Sequence, residues 1–480
     1  MVSKMKGNHR GHGVSAEGTE NTKNIPFARP FIGKEEEEAV LRVLRSGWLT
    51  TGQETLALEK EFAAFLQNSR NLPQSTQSTQ REDKDSSIPS SFASFAVNSS
   101  SSSSSANGVS AQSKLQATRP SRVAPLPCLA VNSATSGLHL ALEACGVGSG
   151  DLVLVPSCTF TSTAEVARYL GAEPVFVDVA PGSFLMDPGA LEHTLERLRR
   201  ERPGKAKAVM PVHYGGLPCD MKAIMEISRH YGLKVIEDAA HSFPSLLPCD
   251  ALSGTEEPSF AGTIGDAGVF SFYATKTMTT GEGGMVVCRN RELASRIAIM
   301  RSHGIDRSVW NRYTDTKASW YYEVVEAGFK YNIPDILSAL GRVQLSRAWD
   351  MLHMREKIAR RYNEAFAGDG HFLIPPTGPG NAWHLYPLRL RPETLSINRD
   401  TFIRRLQEEG IGVSVHFIPL HTMPYYKKTY HLNDDDLPET MKSFRQEISL
   451  PIWQGMSEAQ VERVITTVKS IAVFYPSNHL

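Results

Sequence analysis

The stretch that decides the fold is LVLVPSCTFTSTAEVARYLGAEPVFVDV, residues 152–179. It opens on a short continuous apolar run (152–156), passes through residues with helical spacing (162–171), and returns to a strand-like run (174–179). Strand, helix and strand in that order form a crossover between parallel strands, in a sheet buried on both faces. The alternation continues toward the C-terminus with a helix over 190–202, a strand over 206–214, a helix over 219–232 and a strand over 234–240. GDAGVFSFY (265–273) and GGMVVCR (283–289) read as two further strands, and RELASRIAIMRSHG (291–304) as the next helix. After about Arg347 the character changes: a long helix from Leu352 to Phe366, a strand HLYPLRL (384–390) and a helix TFIRRLQEEG (401–410). The expected organisation is a large α/β domain over 25–348, its mostly parallel sheet sandwiched by helices, followed by a small C-terminal α+β domain over 349–480.

Two segments read differently. Residues 1–24 are rich in Gly, Asn and Lys with few large apolar side chains, so ordering them would not offset its entropy cost, and a disordered tail is expected. Between residues 68 and 126 lie QSTQSTQ, REDKD and an unbroken serine run from Ser99 to Ser105, the composition of a low-complexity disordered insertion.

The chain has 480 residues, with 51 Lys+Arg balancing 51 Asp+Glu. That balance argues against nucleic acid or a membrane surface as a partner. Six cysteines are scattered without a CxxC pair or a Cys/His cluster, so neither a disulfide framework nor a metal site is signalled. No apolar run approaches the roughly 18–20 residues of a membrane span, and the N-terminus lacks a signal-peptide core. A cytoplasmic protein with reduced thiols is expected.

In an open α/β sheet, ligands bind beyond the carboxyl ends of the strands, so the residues after each strand carry the chemistry. Asp238-Ala239-Ala240-His241 follows one strand; Thr275-Lys276 and the glycine-dense TTGEGG follow another; Thr135 and Ser136 stand at a helix start in NSATSGLHLAL. Unpaired N–H groups and the positive dipole end at that helix start can hold a phosphate, although Ser/Thr there also serve as an ordinary N-cap. Lys276 can act as an amine nucleophile if its surroundings lower its pKa; an exposed loop lysine would not. Asp238, ending an apolar strand, is costly unless paired, which suits a protonated ring nitrogen or, equally, a helix cap. Gly146-Val147-Gly148-Ser149-Gly150 looks like a dinucleotide fingerprint but follows a helix and precedes a strand, the reverse of the required order, and reads as a turn.

With these motifs in order, the chain resembles the DegT/DnrJ/EryC1/StrS sugar aminotransferases, pyridoxal 5'-phosphate (PLP) enzymes of fold type I. The resemblance runs from IPFARPFIGKEEEEAVLRVLRSGWLTTG (25–52) through NSATSGLHLAL, MPVHYGGLPCDM, VIEDAAHS, FSFYATKTMTTGEGGMVV and GFKYNIPDILSALGRVQL to VHFIPLHTMPYY and SLPIWQGMSEAQVERVI. PVHYGG, AWHLYPLRL and VHFIPLHT look most like the members that aminate UDP-linked 4-keto-sugars. The resemblance implies that Lys276 binds the cofactor aldehyde and moves the proton, while Asp238 pairs with the pyridinium nitrogen. It sets His241 beside the ring hydroxyl, Phe160 against the ring face, and Thr135, Ser136 and Ser271 at the phosphate. Asn332 would reach the cofactor phosphate of a neighbouring subunit, which implies a homodimer with shared active sites. His416 and His421 are candidates for lining the sugar pocket. The implied substrates are a nucleotide-sugar carrying a keto group and an amino-acid donor, L-glutamate by family precedent, in amino-sugar and polysaccharide biosynthesis.

Two departures bear on access to the site: the 68–126 insertion, and SLLPCDALSGTEEPSFAG (245–262), which lengthens the segment between Asp238 and Lys276. HSFP (241–244) also lacks the glycine-rich ending common in the family. An amino-shikimate-type dehydratase remains open, as does a non-catalytic PLP-binding regulator, though an intact Lys276, Asp238 and Ser271 disfavours the second. A cysteine desulfurase would need a mobile cysteine, and most of these six fall in predicted elements.

Overall fold

The computed structural model describes residues 24–67, 125–247, 258–306, 321–378 and 380–475. Residues 1–23 of the expected tail, nearly all of the low-complexity insertion and residues 248–257 of the second lengthened segment lie outside them.

Two helices come first, α1 (Lys34–Ser46) and α2 (Gln53–Gln67), followed by strand β1 (Cys128–Val131) and helix α3 (Ala134–Ala144). The deciding stretch forms β2 (Leu152–Pro156), α4 (Ser162–Tyr169) and β3 (Glu173–Val177). Next come α5 (Pro188–Glu201), β4 (Ala206–Val209), α6 (Met221–Tyr231) and β5 (Lys234–Asp238). A two-stranded ribbon, β6 (Leu246–Leu247) with β7 (Ser259–Phe260), precedes β8 (Ala267–Ser271), β9 (Gly284–Cys288) and α7 (Arg291–Met300).

Seven strands make one sheet in the order β1-β9-β8-β5-β4-β2-β3. Pairing is parallel from β3 across to β8, whereas β9 runs antiparallel to both β8 and β1. No helix separates β8 from β9, so that pair has no crossover to turn the chain back into parallel register. Most of the strands are buried on both faces, which explains their continuous apolar runs. Gly146 and Gly150 both have positive φ and lie between α3 and β2, the turn expected there.

Close approach of α3 to the sheet depends on glycine. A Cβ on Gly137 would lie 2.7 Å from Val269 Cγ1, and one on Gly284 would lie 2.9 Å from Ala134 N. The helix start therefore rests directly on β8 and β9, beside the carboxyl end of β8.

Beyond the sheet are α8 (Asp335–Ser346), α9 (Ala348–Phe366), β10 (Phe372–Leu373), β11 (Tyr386–Leu390), α10 (Arg399–Glu408), α11 (Pro424–Tyr430), α12 (Pro438–Gln446), β12 (Glu447–Leu450) and α13 (Glu458–Phe474). Strands β10, β11 and β12 form a separate antiparallel sheet. It packs with α9, α10 and α13 around Tyr362, Phe366, Tyr386, Phe402, Val464 and Val468, all fully buried. Among the described residues no helix is long and apolar enough to cross a membrane.

Candidate active site

The carboxyl ends of β1, β2, β4, β5 and β8 meet along one edge of the large sheet, and Thr135, Ser136, Phe160, Asp238, His241, Ser271 and Lys276 each follow or end one of them, whereas His416 and His421 come from the C-terminal part of the chain. Asn332 lies beside that edge, bridged to Val131 at the end of β1.

Asp238 is the last residue of β5 and only 4% exposed. Its Oδ2 accepts from Thr163 Oγ1 at 2.7 Å and its Oδ1 from the Ala240 amide at 3.1 Å. Burial pushes its carboxyl up from the ordinary 3.8, against those two hydrogen bonds. Among the described residues neither oxygen has a cation in ion-pair contact. A buried carboxylate in that condition is suited to an incoming positive charge.

Lys276 sits in the turn after β8, its amide bonded to Tyr273 O at 2.9 Å. Gln454 Nε2 fastens the next residue by bonding Thr277 O at 2.8 Å. Desolvation brings the Lys276 amine down from 10.5 to about 7, with the Asp238 charge opposing and the Arg355 charge adding. An amine that is substantially neutral near neutral pH is a competent nucleophile and proton carrier.

Around the lysine stand imidazoles. His384 Nε2 lies 3.4 Å from Lys276 Nζ. His241 Nδ1 accepts from the Gly215 amide at 3.2 Å, so that ring carries its proton on Nε2. The His241 ring centroid lies 4.4 Å from that of His384 and stacks on Phe417 at 5.8 Å. Burial first, and then the Lys276 charge, hold both His241 and His384 well below the ordinary 6.5, so both are neutral. Behind His384, the buried Arg355 guanidinium donates to the carbonyls of Trp383, His384 and Ile452. That fixes the backbone from which His384 projects.

The helix start of α3 is capped by Ser133, whose Oγ accepts from Ser136 N at 3.1 Å. The Ser136 hydroxyl in turn donates to Asn132 Oδ1 or to Ser133 O, each at 2.7 Å. Thr135 is half-buried at the first turn, and Ser271, half-buried at the end of β8, pairs in register with Gly284. Since Gly284 abuts Ala134 N, Ser271 and the helix start flank one cradle, a seat for an anion. Phe160, in the loop after β2, is 57% exposed with its ring 6.1 Å from Phe417, and can offer an open face to a flat ring. Asn332 Nδ2 donates to Thr51 Oγ1 at 2.6 Å within this chain.

Sequence reasoning did not single out Thr163, His384 or Arg355. Thr163 and His384 lie inside motifs quoted above, Thr163 in the first turn of α4 and His384 two residues before β11, and neither place carries a local signal. His421, a sugar-pocket candidate, is fully buried with Nδ1 held by Ser157 Oγ at 2.6 Å and Nε2 by Asp434 O at 3.4 Å, so both ring nitrogens are spent on structure. His416 is half-buried and has one ring nitrogen committed, Nδ1 to Ser449 Oγ at 2.8 Å. A groove of about 800 Å³ at the far end of the sheet, lined by Glu143, Cys145, Lys234 and Arg296 among others, holds none of the site residues. Its cations are already paired, Arg296 with Glu143 and Glu326, and Lys234 with Asp266.

A compound with a basic ring, an aldehyde and a phosphate fits this arrangement. Asp238 would meet the ring nitrogen, Lys276 the aldehyde, Phe160 and His241 the ring, and the α3 start with Thr135 and Ser271 the phosphate. The unpaired buried carboxylate and the glycine-lined cradle are the two structural features that favour such an occupant.

Comparison with known proteins agrees. Residues 30–75 and 125–469 match the DegT/DnrJ/EryC1/StrS aminotransferase family. The chain is 37% identical over 450 residues to the spore coat polysaccharide biosynthesis protein SpsC of Bacillus subtilis, covering 93% of this chain and 97% of that one. It is 38% identical over 451 residues to the uncharacterized protein MJ1066 of Methanocaldococcus jannaschii, with the same coverage. Among solved structures, the PMP form of Spr1654 from Streptococcus pneumoniae, assigned as a sugar aminotransferase, superposes with a TM-score of 0.73 at 27% identity. That match covers 94% of this chain and 100% of the other. The aminotransferase TlmJ from Streptoalloteichus hindustanus gives 0.71 at 27% identity, covering 94% and 99%. The chain therefore belongs to the DegT/DnrJ/EryC1/StrS aminotransferase family and is a PLP-dependent aminotransferase.

Proposed function

We propose that this enzyme transfers an amino group from L-glutamate to the keto carbon of a nucleotide-linked keto-sugar, supplying an amino sugar for polysaccharide biosynthesis. The observation that carries the catalytic part is Lys276: an amine brought to about 7 in a cleft it shares with a buried carboxylate lacking a cation. Bound PLP supplies a reactive aldehyde and an electron-withdrawing ring. Lys276 would hold that aldehyde and would serve as the amine that takes up and returns the proton of the donor's α-carbon. Asp238, oriented by Thr163, keeps the ring nitrogen protonated. Phe160 and His241 hold the ring, while Thr135, Ser136 and Ser271 with the α3 start hold the phosphate. Asn332 completes the phosphate site of a second copy in a homodimer, and 25–348 and 349–480 are the large cofactor-binding domain and the small C-terminal domain.

The sugar class is supported by the sugar-aminotransferase assignment of the Streptococcus pneumoniae structure, and the pathway class by the spore coat relative. The cleft is also lined by neutral imidazoles and aromatic rings, side chains that suit a hydroxylated ring better than a second charge. The test is the absorption spectrum of the PLP-loaded protein before and after excess L-glutamate, with K276A alongside. Loss of the visible band in the wild type alone supports the donor half-reaction, and restoration of that band by a UDP-linked 4-keto-sugar supports the acceptor. A wild-type band that glutamate leaves unchanged refutes the donor assignment.

A further inference from the structure

His416 is held from every side but one. Its backbone amide donates to Glu447 Oε2 at 3.0 Å, and its carbonyl accepts from the Tyr214 hydroxyl. Its ring stacks on Phe27 with centroids 5.3 Å apart, and its Nδ1 meets Ser449 Oγ at 2.8 Å. Ser449 Oγ is also hydrogen-bonded to Glu447 Oε1. Glu447 and Ser449 are both fully buried, while His416 is only half-buried. Among the described residues Nε2 of His416 has no hydrogen-bond partner. The His416 ring is close enough to Lys276 and His241 to interact with both electrostatically. The His416 ring also lies 4.8 Å from that of Phe417, which stacks on His241 of the site, so an imidazole fixed this thoroughly, with one ring nitrogen uncommitted, is arranged for recognition.

We propose that Glu447, Ser449 and His416 form a relay that sets which nitrogen of His416 bears the proton, and that His416 thereby presents an Nε2–H donor to an oxygen of the keto substrate. The inference rests on the function proposed above and adds a specificity residue, His416, with Glu447 and Ser449 as positioning residues acting through it.

The hydrogen bonds permit two complete states. With Glu447 neutral, its O–H donates to Ser449, the Ser449 hydroxyl donates to Nδ1, and the ring proton stays on Nε2. With Glu447 ionised, Ser449 donates to the carboxylate, Nδ1–H donates to Ser449, and Nε2 becomes an acceptor. One proton separates the states: it leaves the ring from Nε2 while the Glu447 proton moves to Ser449 and the serine proton to Nδ1. Burial pushes the Glu447 carboxyl up to about 8, against the hydrogen bonds from Ser449 and the His416 amide and the charge of Arg399. Below that pH the donor state prevails. His416 itself stays neutral, since desolvation and then the Lys276 charge bring it down to about 3. The other ionisable groups around the relay are Tyr214 and Cys158, both pushed upward by burial and therefore neutral, and Arg399, whose Nη1 bonds Glu447 O at 3.1 Å.

The first test is ¹⁵N NMR of histidine-labelled, cofactor-free protein, which reads the His416 tautomer without reference to activity. The wild type is expected to show Nε2–H at pH 7 and to convert to Nδ1–H with a midpoint near 8. E447Q, whose amide donates to Ser449 as the neutral acid does, should keep Nε2–H up to pH 9.5, and Ser449→Ala should lose the coupled transition. Steady-state kinetics then gives a matching result: KM for the keto substrate rises about tenfold above pH 8 in the wild type, and the rise disappears in E447Q. A wild-type tautomer that does not change between pH 6 and 9.5, or an Nδ1–H tautomer at pH 7, overturns the relay. Failure of glutamate to act as donor would overturn the function proposed above and leave the NMR result standing.

Discussion

Two adjacent carboxylates on β5 were put to opposite uses. Glu237 is fully buried and saturated: it accepts from the amides of Gly262, Ile264 and Gly265 at 2.8, 2.6 and 2.7 Å and meets His213 Nε2 at 2.9 Å. His213 Nδ1 accepts from the Cys219 amide at 3.1 Å, so its single proton is the one given to Glu237. Asp238, one residue on and facing the other side of the strand, has two hydrogen bonds and, among the described residues, no cation in ion-pair contact. Burial alone does not separate a structural acid from a reactive one. What separates them is whether the protein has already supplied every partner the charge requires.

The comparison breaks most sharply at Lys276. K276A is expected to bind PLP through the phosphate cradle but lose turnover entirely, as measured by single-turnover spectra with glutamate. Next, D238N should keep the fold and lower kcat by about 10²–10⁴-fold, since the ring nitrogen then has no anion to keep it protonated. E237Q should do the reverse. It leaves His213 and three amides around a neutral amide that cannot accept from all of them, and costs about 1–3 kcal/mol of unfolding free energy in denaturant titrations. If E237Q instead left stability unchanged and abolished turnover, the two acids would have been assigned the wrong way round.

A smaller effect is expected from pH. In the cofactor-free protein the Lys276 amine is at about 7 against an ordinary 10.5, so between those values the unfolded chain holds one more proton than the native state. Stability therefore rises with pH across that window and falls as pH drops toward 7. K276M should flatten the slope, read from thermal melts of the cofactor-free protein at successive pH values. Smallest of all is Thr163→Val, which removes one hydrogen bond from Asp238 and should weaken PLP binding by about five- to tenfold in a fluorescence titration.

Much of this comparison was legible in the sequence, because the deciding crossover at 152–179 and the strand ending in Asp238 are written in local periodicity. Lys276, Asp238, His241 and the α3 start were singled out by looking after each strand, and the fold brings them to one edge of the large sheet. The rest was not legible, for a physical reason. Thr163 reaches Asp238 across 75 residues and His384 reaches Lys276 across 108, and no local pattern records contacts made by folding. The saturation of Glu237 was equally hidden, since its partners come from a loop 25–28 residues downstream. Nor does an apolar run announce its direction, and β9 proved antiparallel in an otherwise parallel sheet.

The seating of α3 on Gly137 and Gly284 has a bearing on redesign. The depth of the anion seat is set at Gly284 by backbone resting on backbone, and at Gly137 by close packing against the side chains of Val269, Val286 and Val131. Libraries aimed at accepting cofactor analogues with a longer or bulkier acidic tail would gain little from varying these two glycines, where an added carbon falls within 3 Å of a neighbouring atom. The open rim at Phe160 can yield instead, so new cofactor specificities should be easier to reach at the ring than at the phosphate.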